Sequence, residues 1–216
     1  MEQRTDEWIG IRLGKFTSSK LSVIAEAVKK KDDKYIFSPT QGTYTYLEQK
    51  LAERLTGEIE DTPNTFDMQR GIDLEPVAIQ EFCDLTGIVG STPGFIVYND
   101  YCGGSPDFLG FEGEAKVGAE IKCPKQHTHV KYVTKINSIK DLRSINKDYY
   151  WQVISIMLFT NTDTWYWISY HPSFPTKNLH YIKVTKEDVA DEIERLKFGL
   201  DEAAKLIEEM KSCFQP

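Results

Sequence analysis

The spacing of apolar residues changes twice along this chain, and this change restricts the folds open to it. Apolar residues three and four apart, the helical spacing, mark three stretches in the first half of the chain, one near residue 150 and the C-terminal tail. Short segments of strand character, separated by glycine-rich turns, fill the middle. We therefore predict an α/β domain in which a central mixed β-sheet is flanked by helices.

The predicted elements have definite bounds. Helices are expected over residues 44–55, 66–85, 149–159 and 189–210, and strands over residues 94–98, 108–112, 117–123, 164–170 and 179–184. Gly57 and Gly87 are expected to end the first two helices. Thr17 or Ser18 is a candidate N-cap for a further helix running towards residue 30, and residues 29–38 have the composition of an exposed loop. No repeat or linker divides the chain, so residues 1–216 are predicted to form one domain.

Composition excludes several classes of protein. The chain has 216 residues, of which 40% are hydrophobic and 12% aromatic, too many for a disordered protein. Its apolar stretches are far shorter than the span of about 20 residues that crosses a bilayer. The polar N-terminal residues lack the apolar stretch of a signal peptide, so we expect an intracellular, cytoplasmic protein that does not enter a membrane.

The cysteines do not suggest a metal or disulfide framework. They are Cys83, Cys102, Cys123 and Cys213, with no C-x-x-C pair among them. Cys123, His127 and His129 are close in sequence, but no fourth ligand lies at a recognised zinc spacing. We therefore expect no zinc site.

The charge of the chain is unevenly distributed. The net charge is −7, but residues 121–147 carry seven basic side chains and one acidic side chain. This segment has a charge of +6, and the rest of the chain carries −13. A basic segment with histidines and a tyrosine suits a surface that faces phosphate groups, and it equally suits a solvated helix and loop. The sequence leaves both interpretations open.

A pattern of carboxylates in the middle of the chain indicates metal-assisted chemistry. Asp107 follows Ser105 and Pro106 just before one predicted strand, and Glu120 and Lys122 lie two residues apart on the next. Side chains alternate along a strand, so Glu120 and Lys122 project to the same side of the sheet. Asp107 can bring a second carboxylate beside Glu120. Two carboxylates, a backbone carbonyl and waters form an oxygen-rich site suited to Mg²⁺ or Mn²⁺.

The same string also occurs in ordinary surface hairpins, which is the alternative interpretation. A lysine beside a metal can orient or help to deprotonate an attacking water, whose pKa the metal lowers. Glu120 and Lys122 stand among small and apolar residues, where a charge costs free energy unless it is paired or bound to metal. Lys122 also begins the basic segment.

Glu75 has two interpretations because Pro76 follows it within the helix predicted over residues 66–85. Proline breaks or kinks a helix, so a new helix could begin at Pro76 with Glu75 favourably placed near its N-terminus. Alternatively, Glu75 is a third acid that supports a second metal or a metal-bound water.

Taken together and in order, these residues resemble a known family. They are similar to the lambda exonuclease group of phage recombination nucleases, the YqaJ-like viral recombinase family, which carries the P-D…(D/E)-x-K pattern. The similar segments are residues 3–8, 12–19, 71–75, 105–107, 120–124, 150–153, 165–167 and 170–172. Ile154 stands where the family often has a second glutamine, which leaves Gln152 to fill that role.

The resemblance implies a restriction-endonuclease-like core and an activity. That activity is Mg²⁺-dependent hydrolysis of one strand of double-stranded DNA from a 5′-phosphorylated end, with Mn²⁺ as a substitute metal. It releases mononucleotides and leaves a 3′ single-stranded tail for recombination. By resemblance, Asp107, Glu120 and the Ile121 carbonyl hold metal, Lys122 assists the water, and Glu75 supports the site.

The resemblance also implies a pocket for the terminal 5′-phosphate. The candidate residues are Arg12, Thr17, Ser19, Ser105 and Gln152. Arginine offers bidentate hydrogen bonds to phosphate, while hydroxyls and an amide supply neutral donors. Without the resemblance, Arg12 and Ser19 would be read as a surface ion pair and a helix cap.

Some members of the family form ring-shaped homotrimers around DNA and act with a single-strand annealing recombinase. A ring would reconcile the negative net charge with DNA binding if the basic segments faced inwards. A phage or prophage protein in the cytoplasm of a bacterial host is the implied setting. The alternatives are another nuclease with the same core, such as a restriction or junction-cleaving endonuclease, and a catalytically inert DNA-end-binding protein. The clustered acids argue against the inert protein because carboxylates repel phosphate unless a metal intervenes.

Overall fold

A computed structural model describes residues 3–59 and 65–214 of the chain. The helices are α1 (Asp6–Arg12), α2 (Ser22–Ala25), α3 (Gln41–Thr56), α4 (Phe66–Thr86), α5 (Gln126–Lys135), α6 (Ile139–Ile145), α7 (Lys147–Thr160) and α8 (Ala190–Ser212). The strands are β1 (Phe16–Thr17), β2 (Val28–Lys31), β3 (Lys34–Phe37), β4 (Val89–Ser91), β5 (Ile96–Val97), β6 (Cys102–Gly104), β7 (Phe108–Glu112), β8 (Ala115–Lys122), β9 (Thr164–Tyr170) and β10 (Leu179–Thr185). Short 3₁₀ helices cover Ser18–Lys20 and Glu187–Val189.

A five-stranded mixed sheet forms the centre of the fold. Its strand order is β10-β9-β8-β7-β4, and only the β8–β9 pair is parallel. The parallel pair needs a crossover, which α5, α6 and α7 provide between the two strands. A second sheet of three strands, β1-β6-β5, leads directly into the loop before β7. The predicted α/β class, with a mixed sheet flanked by helices, is confirmed.

The two faces of the central sheet are buried against different helices. On one face, Trp165 and Trp167 of β9 belong to a large cluster that includes residues of α2, α3, α7 and α8. On the opposite face, Tyr166 and Ile168 pack with Phe82 of α4. Alternate residues of one strand thus enter two separate cores, as the strand period of two requires. No helix in the described residues is long and apolar enough to cross a bilayer.

Local signals in the sequence account for most of the elements. Thr40 caps α3, and Gly57 ends it in the left-handed conformation with a φ of 76°. Thr65 caps α4, and Gly87 ends it in the same way with a φ of 73°. The predicted helices over residues 44–55, 66–85, 149–159 and 189–210 are confirmed with small shifts of their ends, as are the strands over 108–112, 117–123, 164–170 and 179–184.

The prediction for residues 17–38 is wrong. Instead of one helix towards residue 30, a 3₁₀ turn and the four-residue α2 end at Ala25, and β2 and β3 form a hairpin where a loop was expected. Val28 lies in β2 rather than in a helix, and it packs against Gly199 of α8. A Cβ added to Gly199 would lie 2.8 Å from Cγ2 of Val28. Asp32 and Asp33 have φ values of 48° and 59°, the pair of positive φ angles that a tight two-residue hairpin turn requires.

Besides β2 and β3, three strands and three helices have no counterpart among the predictions. β1, β4 and β6 have two or three residues each, too short for a period to be recognised. The helices α1, α5 and α6 are rich in polar residues, and their apolar faces are narrow. The α4 helix runs unbroken through Pro76, so the interpretation in which a helix begins at Pro76 and Glu75 lies at its N-terminus is wrong. That the whole chain forms one domain stays a prediction.

Candidate active site

The hairpin of β7 and β8 brings the first two carboxylates together. Phe108 pairs with Ala119, which places Asp107, just before β7, alongside Glu120 and Ile121 at the far end of β8. The backbone N–H of Ile121 donates a hydrogen bond of 2.6 Å to Oδ2 of Asp107. This bond fixes Asp107 against the strand that carries Glu120, as the sequence predicted.

The alternation of β8 places Lys122 on the same side as Glu120. Val117, Ala119 and Ile121 pack into the core beneath α4, while Glu120 and Lys122 face α7. The Nζ of Lys122 lies 2.6 Å from Oε1 of Glu120. It also donates a hydrogen bond of 3.1 Å to Oε1 of Gln152 on α7. As predicted, Glu120 and Lys122 project to the same side of the sheet and lie within contact of each other.

Tyr149 closes another side of the lysine. The Nζ of Lys122 lies 4.6 Å from the centroid of the Tyr149 ring, within cation–π distance. The ammonium group is therefore surrounded by a carboxylate, an amide oxygen and an aromatic face. Sequence reasoning gave Tyr149 no role, because its contact with Lys122 comes from the crossover that returns α7 over β8.

Burial governs the protonation of this cluster. Glu120 is only 2% exposed, and its Oε2 has no hydrogen-bond partner among the described residues. Burial raises the pKa of Glu120, although Lys122 opposes this. Burial and then repulsion from Glu120 raise the pKa of Asp107. Burial opposes the charge of Lys122, but Glu120 and Asp107 outweigh it and hold the pKa of Lys122 above its ordinary value.

Glu75 completes a group of three acids. It projects from α4, and burial followed by repulsion from Asp107 raises its pKa to about 7. The Nη2 of Arg4 lies 3.1 Å from its Oε2. The third acid is thus close enough to influence the other two, as the functional interpretation of Glu75 required. The partnership with Arg4, 71 residues away in sequence, has no local signal.

The predicted phosphate-pocket residues fall into two groups. Arg12, Thr17 and Ser19 line one cleft of about 830 Å³, which is bounded by α3. Ser105 and Gln152 do not line it. Gln152 instead contacts Lys122, and Ser105 accepts a hydrogen bond from the first group's neighbour, Trp8.

Trp8 connects Arg12 with Ser105. Its Nε1 donates a hydrogen bond of 2.8 Å to Oγ of Ser105, and its ring lies under the guanidinium of Arg12 at 3.7 Å from the centroid. Within the described residues, Arg12 has no acidic side chain within 4 Å, so the surface ion pair considered for it is absent there. Burial lowers the pKa of Arg12. Glu53 lines the same cleft and favours the charged form of Arg12 without contacting it. A partly buried arginine with no acid in direct contact is suited to receive an anion.

The acids present a suitable set of donors for a divalent cation, but they are not arranged around one. In the described residues, no three His, Cys, Asp or Glu side chains are already gathered in ligand geometry. Arg4, the Ile121 N–H and Lys122 contact Glu75, Asp107 and Glu120, respectively. The free Oε2 of Glu120 and the raised pKa values of the acids indicate a site that gains from a positive charge, so these residues fit a hard cation.

The alternative metal cluster is not formed. His129 is buried, and its ring nitrogens contact Oγ of Ser169 at 2.8 Å and the carbonyl of Lys177 at 2.7 Å. Both nitrogens of His129 are therefore already used within the fold. That Cys123, His127 and His129 bind no zinc stays a prediction.

The basic segment contains both paired and unpaired cations, so the choice between a phosphate-facing surface and a solvated helix and loop stays open. Arg143 and Lys147 form ion pairs with Glu26, so they contribute to contacts within the fold. Lys131, Lys135 and Lys140 are exposed on α5 and α6, and the described residues include no ion pair for any of them. These three lysines are free to face an external anion.

Comparison with known proteins agrees with this geometry. The chain is similar over 96% of its length to LHK-Exo, an alkaline exonuclease from Laribacter hongkongensis, with 25% identity, 97% of that chain covered and a TM-score of 0.72. A phage-related exonuclease from Haemophilus somnus 129PT has the same fold, with 17% identity, coverage of 91% and 96% and a TM-score of 0.65. No curated protein sequence matches the chain. The sequence model of the YqaJ-like viral recombinase domain matches residues 7–163. These residues contain every predicted site residue, and the chain therefore belongs to the YqaJ-like viral recombinase domain family.

Proposed function

We propose that this protein is a metal-dependent deoxyribonuclease that hydrolyses phosphodiester bonds of DNA. The observation that carries the proposal is the convergence of Asp107, Glu120 and Lys122 at the ends of two paired strands in a fold shared with LHK-Exo. A buried acid with a lysine at 2.6 Å and an unpartnered oxygen is costly to keep for stability alone. The free-energy cost of burying these charged groups is accounted for if the cluster binds a cation and a phosphate.

The residues suited to hold Mg²⁺, or Mn²⁺ in its place, are Asp107, Glu120, the carbonyl of Ile121 and Glu75. A bound divalent cation supplies an activated water and neutralises charge on the phosphate. The chain's own contribution is to fix the acids. The Ile121 N–H orients Asp107, and the β8 strand holds Glu120 in a buried position.

Lys122 acts as a positioned cation. Glu120 and Gln152 hold its ammonium group, and its raised pKa keeps it protonated at neutral pH. In this state it donates hydrogen bonds to the attacking water or to a phosphate oxygen as negative charge develops there. Gln152 serves the site through Lys122.

The direction of digestion is proposed to be from a 5′-phosphorylated end of linear double-stranded DNA. Arg12, Thr17 and Ser19 would receive the terminal phosphate in the cleft beside α3, with Trp8 holding Arg12 and Ser105 in register. The LHK-Exo neighbour was solved in complex with dAMP, a nucleoside monophosphate. A product of this class is what stepwise cleavage behind a terminal phosphate would release, leaving a 3′ single-stranded tail.

The setting proposed for this activity is homologous recombination of the phage type. The protein would act in the cytoplasm of a bacterial host, as a ring-shaped homotrimer around DNA. A single-strand annealing recombinase would then take up the 3′ tail. The exposed lysines of α5 and α6 are suited to face the DNA within such a ring.

The test is digestion of DNA in the presence of Mg²⁺ or Mn²⁺, with EDTA as the metal-free comparison. Linear duplexes with 5′-phosphate ends, linear duplexes with 5′-hydroxyl ends and closed circles are compared. Lys122→Ala is the inactive variant, and Lys116→Ala, at the exposed beginning of the same strand, is the matched control. We expect loss of one strand from phosphorylated linear DNA, abolished by Lys122→Ala and unchanged by Lys116→Ala.

Other outcomes would replace the proposal. Cutting of closed circles would identify an endonuclease with the same core. Retention of every substrate together with end-dependent binding would identify an inert DNA-end-binding protein. A 3′-to-5′ direction, read from labels placed at either end of one strand, would contradict the polarity.

A further inference from the structure

The segment that precedes α1 is anchored to the catalytic loop. The side-chain amide of Gln3 donates hydrogen bonds to the carbonyls of Pro93 at 2.8 Å and Pro106 at 3.0 Å. Pro106 is the residue before Asp107. Two residues after Gln3, Thr5 caps α1 by accepting a hydrogen bond from the Trp8 N–H. The backbone of Arg4 is therefore fixed on both sides.

Arg4 has an unusual backbone conformation for a residue with a side chain. Its φ is 69°, in the left-handed region, which costs a non-glycine residue free energy relative to the ordinary conformations. The conformation directs Arg4 to Glu75, whose Oε2 lies 3.1 Å from Nη2. Residues in strained conformations of this kind occur preferentially at functional sites.

The acids lie between two cations of different character. Lys122, whose side chain is 19% exposed, contacts Glu120 from the side of α7. Arg4, whose side chain is 45% exposed, contacts Glu75 from the side of solvent. A DNA strand can reach the acids only from solvent, so it would meet the guanidinium group of Arg4 before it met Lys122.

We propose that Arg4 is a substrate-binding residue whose guanidinium contacts a DNA phosphate next to the bond that is cleaved. This inference rests on the proposed nuclease function and deepens it. Arginine is suited to the role because its planar donors bind phosphate oxygens in pairs. In the DNA-free protein, Glu75 holds the guanidinium in place. When DNA binds, the phosphate shares it or takes it over.

The test is equilibrium binding of a 5′-phosphorylated duplex in EDTA, which requires no catalysis. A single methylphosphonate, which is neutral, replaces one of the first internucleotide phosphates in turn. In the wild-type protein we expect one such position to weaken binding on the order of tenfold, the effect of a lost charge-assisted contact. In Arg4→Ala, substitution at that position is expected to have little further effect. The slope of log K for binding against the logarithm of the salt concentration should be smaller in magnitude by about one in this variant.

Two control variants distinguish a loss of DNA contact from a change in the fold. Lys205→Ala, an exposed cation on α8 that pairs with Glu202, should leave both the affinity and the salt dependence unchanged. Arg4→Lys keeps the charge and should retain most of the salt dependence. Thermal unfolding of each variant shows whether the fold is intact.

The possible outcomes distinguish the role of Arg4 from the nuclease function. If Arg4→Ala remains as sensitive as the wild type to every methylphosphonate, Arg4 only holds Glu75 and the inference is wrong. If Arg4→Ala is unfolded, the same comparison is made with Arg4→Lys and Arg4→Gln, and equal sensitivity there overturns the inference. If the wild-type protein degrades no DNA with Mg²⁺ or Mn²⁺, the proposed function itself fails, whatever the binding result.

Discussion

The Nζ of Lys122 lies 2.6 Å from Oε1 of Glu120, and the glutamate is 2% exposed. The two residues are separated by one position on β8, so their side chains run side by side on the same face of the sheet. In the metal-free protein the lysine neutralises the acid. The ion pair is therefore both part of the proposed catalytic machinery and a condition for burying Glu120.

Removal of the lysine alone should destabilise the protein. In Lys122→Met the glutamate stays buried without its cation, and the free energy of unfolding should fall by about 3 kcal/mol. In Glu120→Gln/Lys122→Met neither member of the pair carries a charge, so most of that loss should be recovered. Urea denaturation in EDTA measures both values, and digestion assays should find both variants inactive.

Lys116→Met is the control for this comparison because it removes an exposed lysine from the same strand. Its Nζ donates a hydrogen bond of 2.9 Å to the carbonyl of Thr160, so its free energy of unfolding should fall by about 1 kcal/mol, well below the effect of Lys122→Met. Equal stability of the single and double variants would show that Glu120 is not held by Lys122.

The stability of the metal-free protein should fall as the pH rises from about 4.5 to about 7. Burial and Asp107 raise the pKa of Glu75 to about 7 in the folded protein, whereas the unfolded chain has the ordinary value near 4.3. The folded state binds the proton of Glu75 more tightly than the unfolded state. This contribution to the free energy of unfolding is complete below the pKa of the unfolded chain, and it is lost as the pH rises through the pKa of the folded protein. Asp107 acts in the same direction.

Thermal unfolding in EDTA across this pH range measures the effect. Glu75→Gln should flatten the curve in part, because the amide does not titrate. Mg²⁺ should raise the melting temperature most at the upper end, where the acids are ionised. A melting temperature that rises with pH in EDTA would contradict the assignment of these pKa shifts.

Arg12→Ala should reduce the preference for a 5′-phosphate. The ratio of kcat/KM between phosphorylated and unphosphorylated ends is expected to fall about tenfold or more, since the guanidinium lines the cleft with no acidic side chain within 4 Å in the described residues. Cleavage of unphosphorylated ends should change little. Lys183→Ala, which removes a cation paired with Glu112, should keep the wild-type ratio. An unchanged ratio in Arg12→Ala would place the phosphate elsewhere.

Gly118→Ala should disturb the strand that carries the site. A Cβ at this position would lie 2.0 Å from Cζ3 of Trp165, which is fully buried and has no space to move. We expect a loss of about 3 kcal/mol in the free energy of unfolding. Gly71→Ala is the contrasting variant, because a Cβ there meets nothing within 4 Å inside a helix. It should stabilise the protein by about 0.5–1 kcal/mol, and stabilisation by Gly118→Ala would contradict the packing.

The sequence was sufficient where a local rule determined the structure. The alternation of strand side chains placed Glu120 and Lys122 together, and glycines at positive φ ended α3 and α4. The carboxylate of Asp107 was placed correctly because a hairpin pairs neighbouring segments. In each case the information lay within one element or between two consecutive ones.

The sequence was insufficient where the structure depends on contacts between residues that are far apart in the chain. Gln3 and Arg4 contact residues 71 to 103 positions away, and nothing near them in sequence indicates this. The β2–β3 hairpin carries lysines in place of an apolar alternation, so its period is weak. The separation of Ser105 and Gln152 from the cleft of Arg12 depends on how α7 and α3 pack on the sheet.

The parallel pairing of β8 with β9 has a consequence for how the protein is made. Lys122 leaves the ribosome well before β9, with three helices between them, and Gln152 lies on the last of these helices. Until that crossover has folded, Lys122 lacks its contact with Gln152 on α7. A nascent chain therefore carries the acids and the lysine without a working arrangement of them. Under the proposed function, nuclease activity would therefore appear only after the crossover is complete.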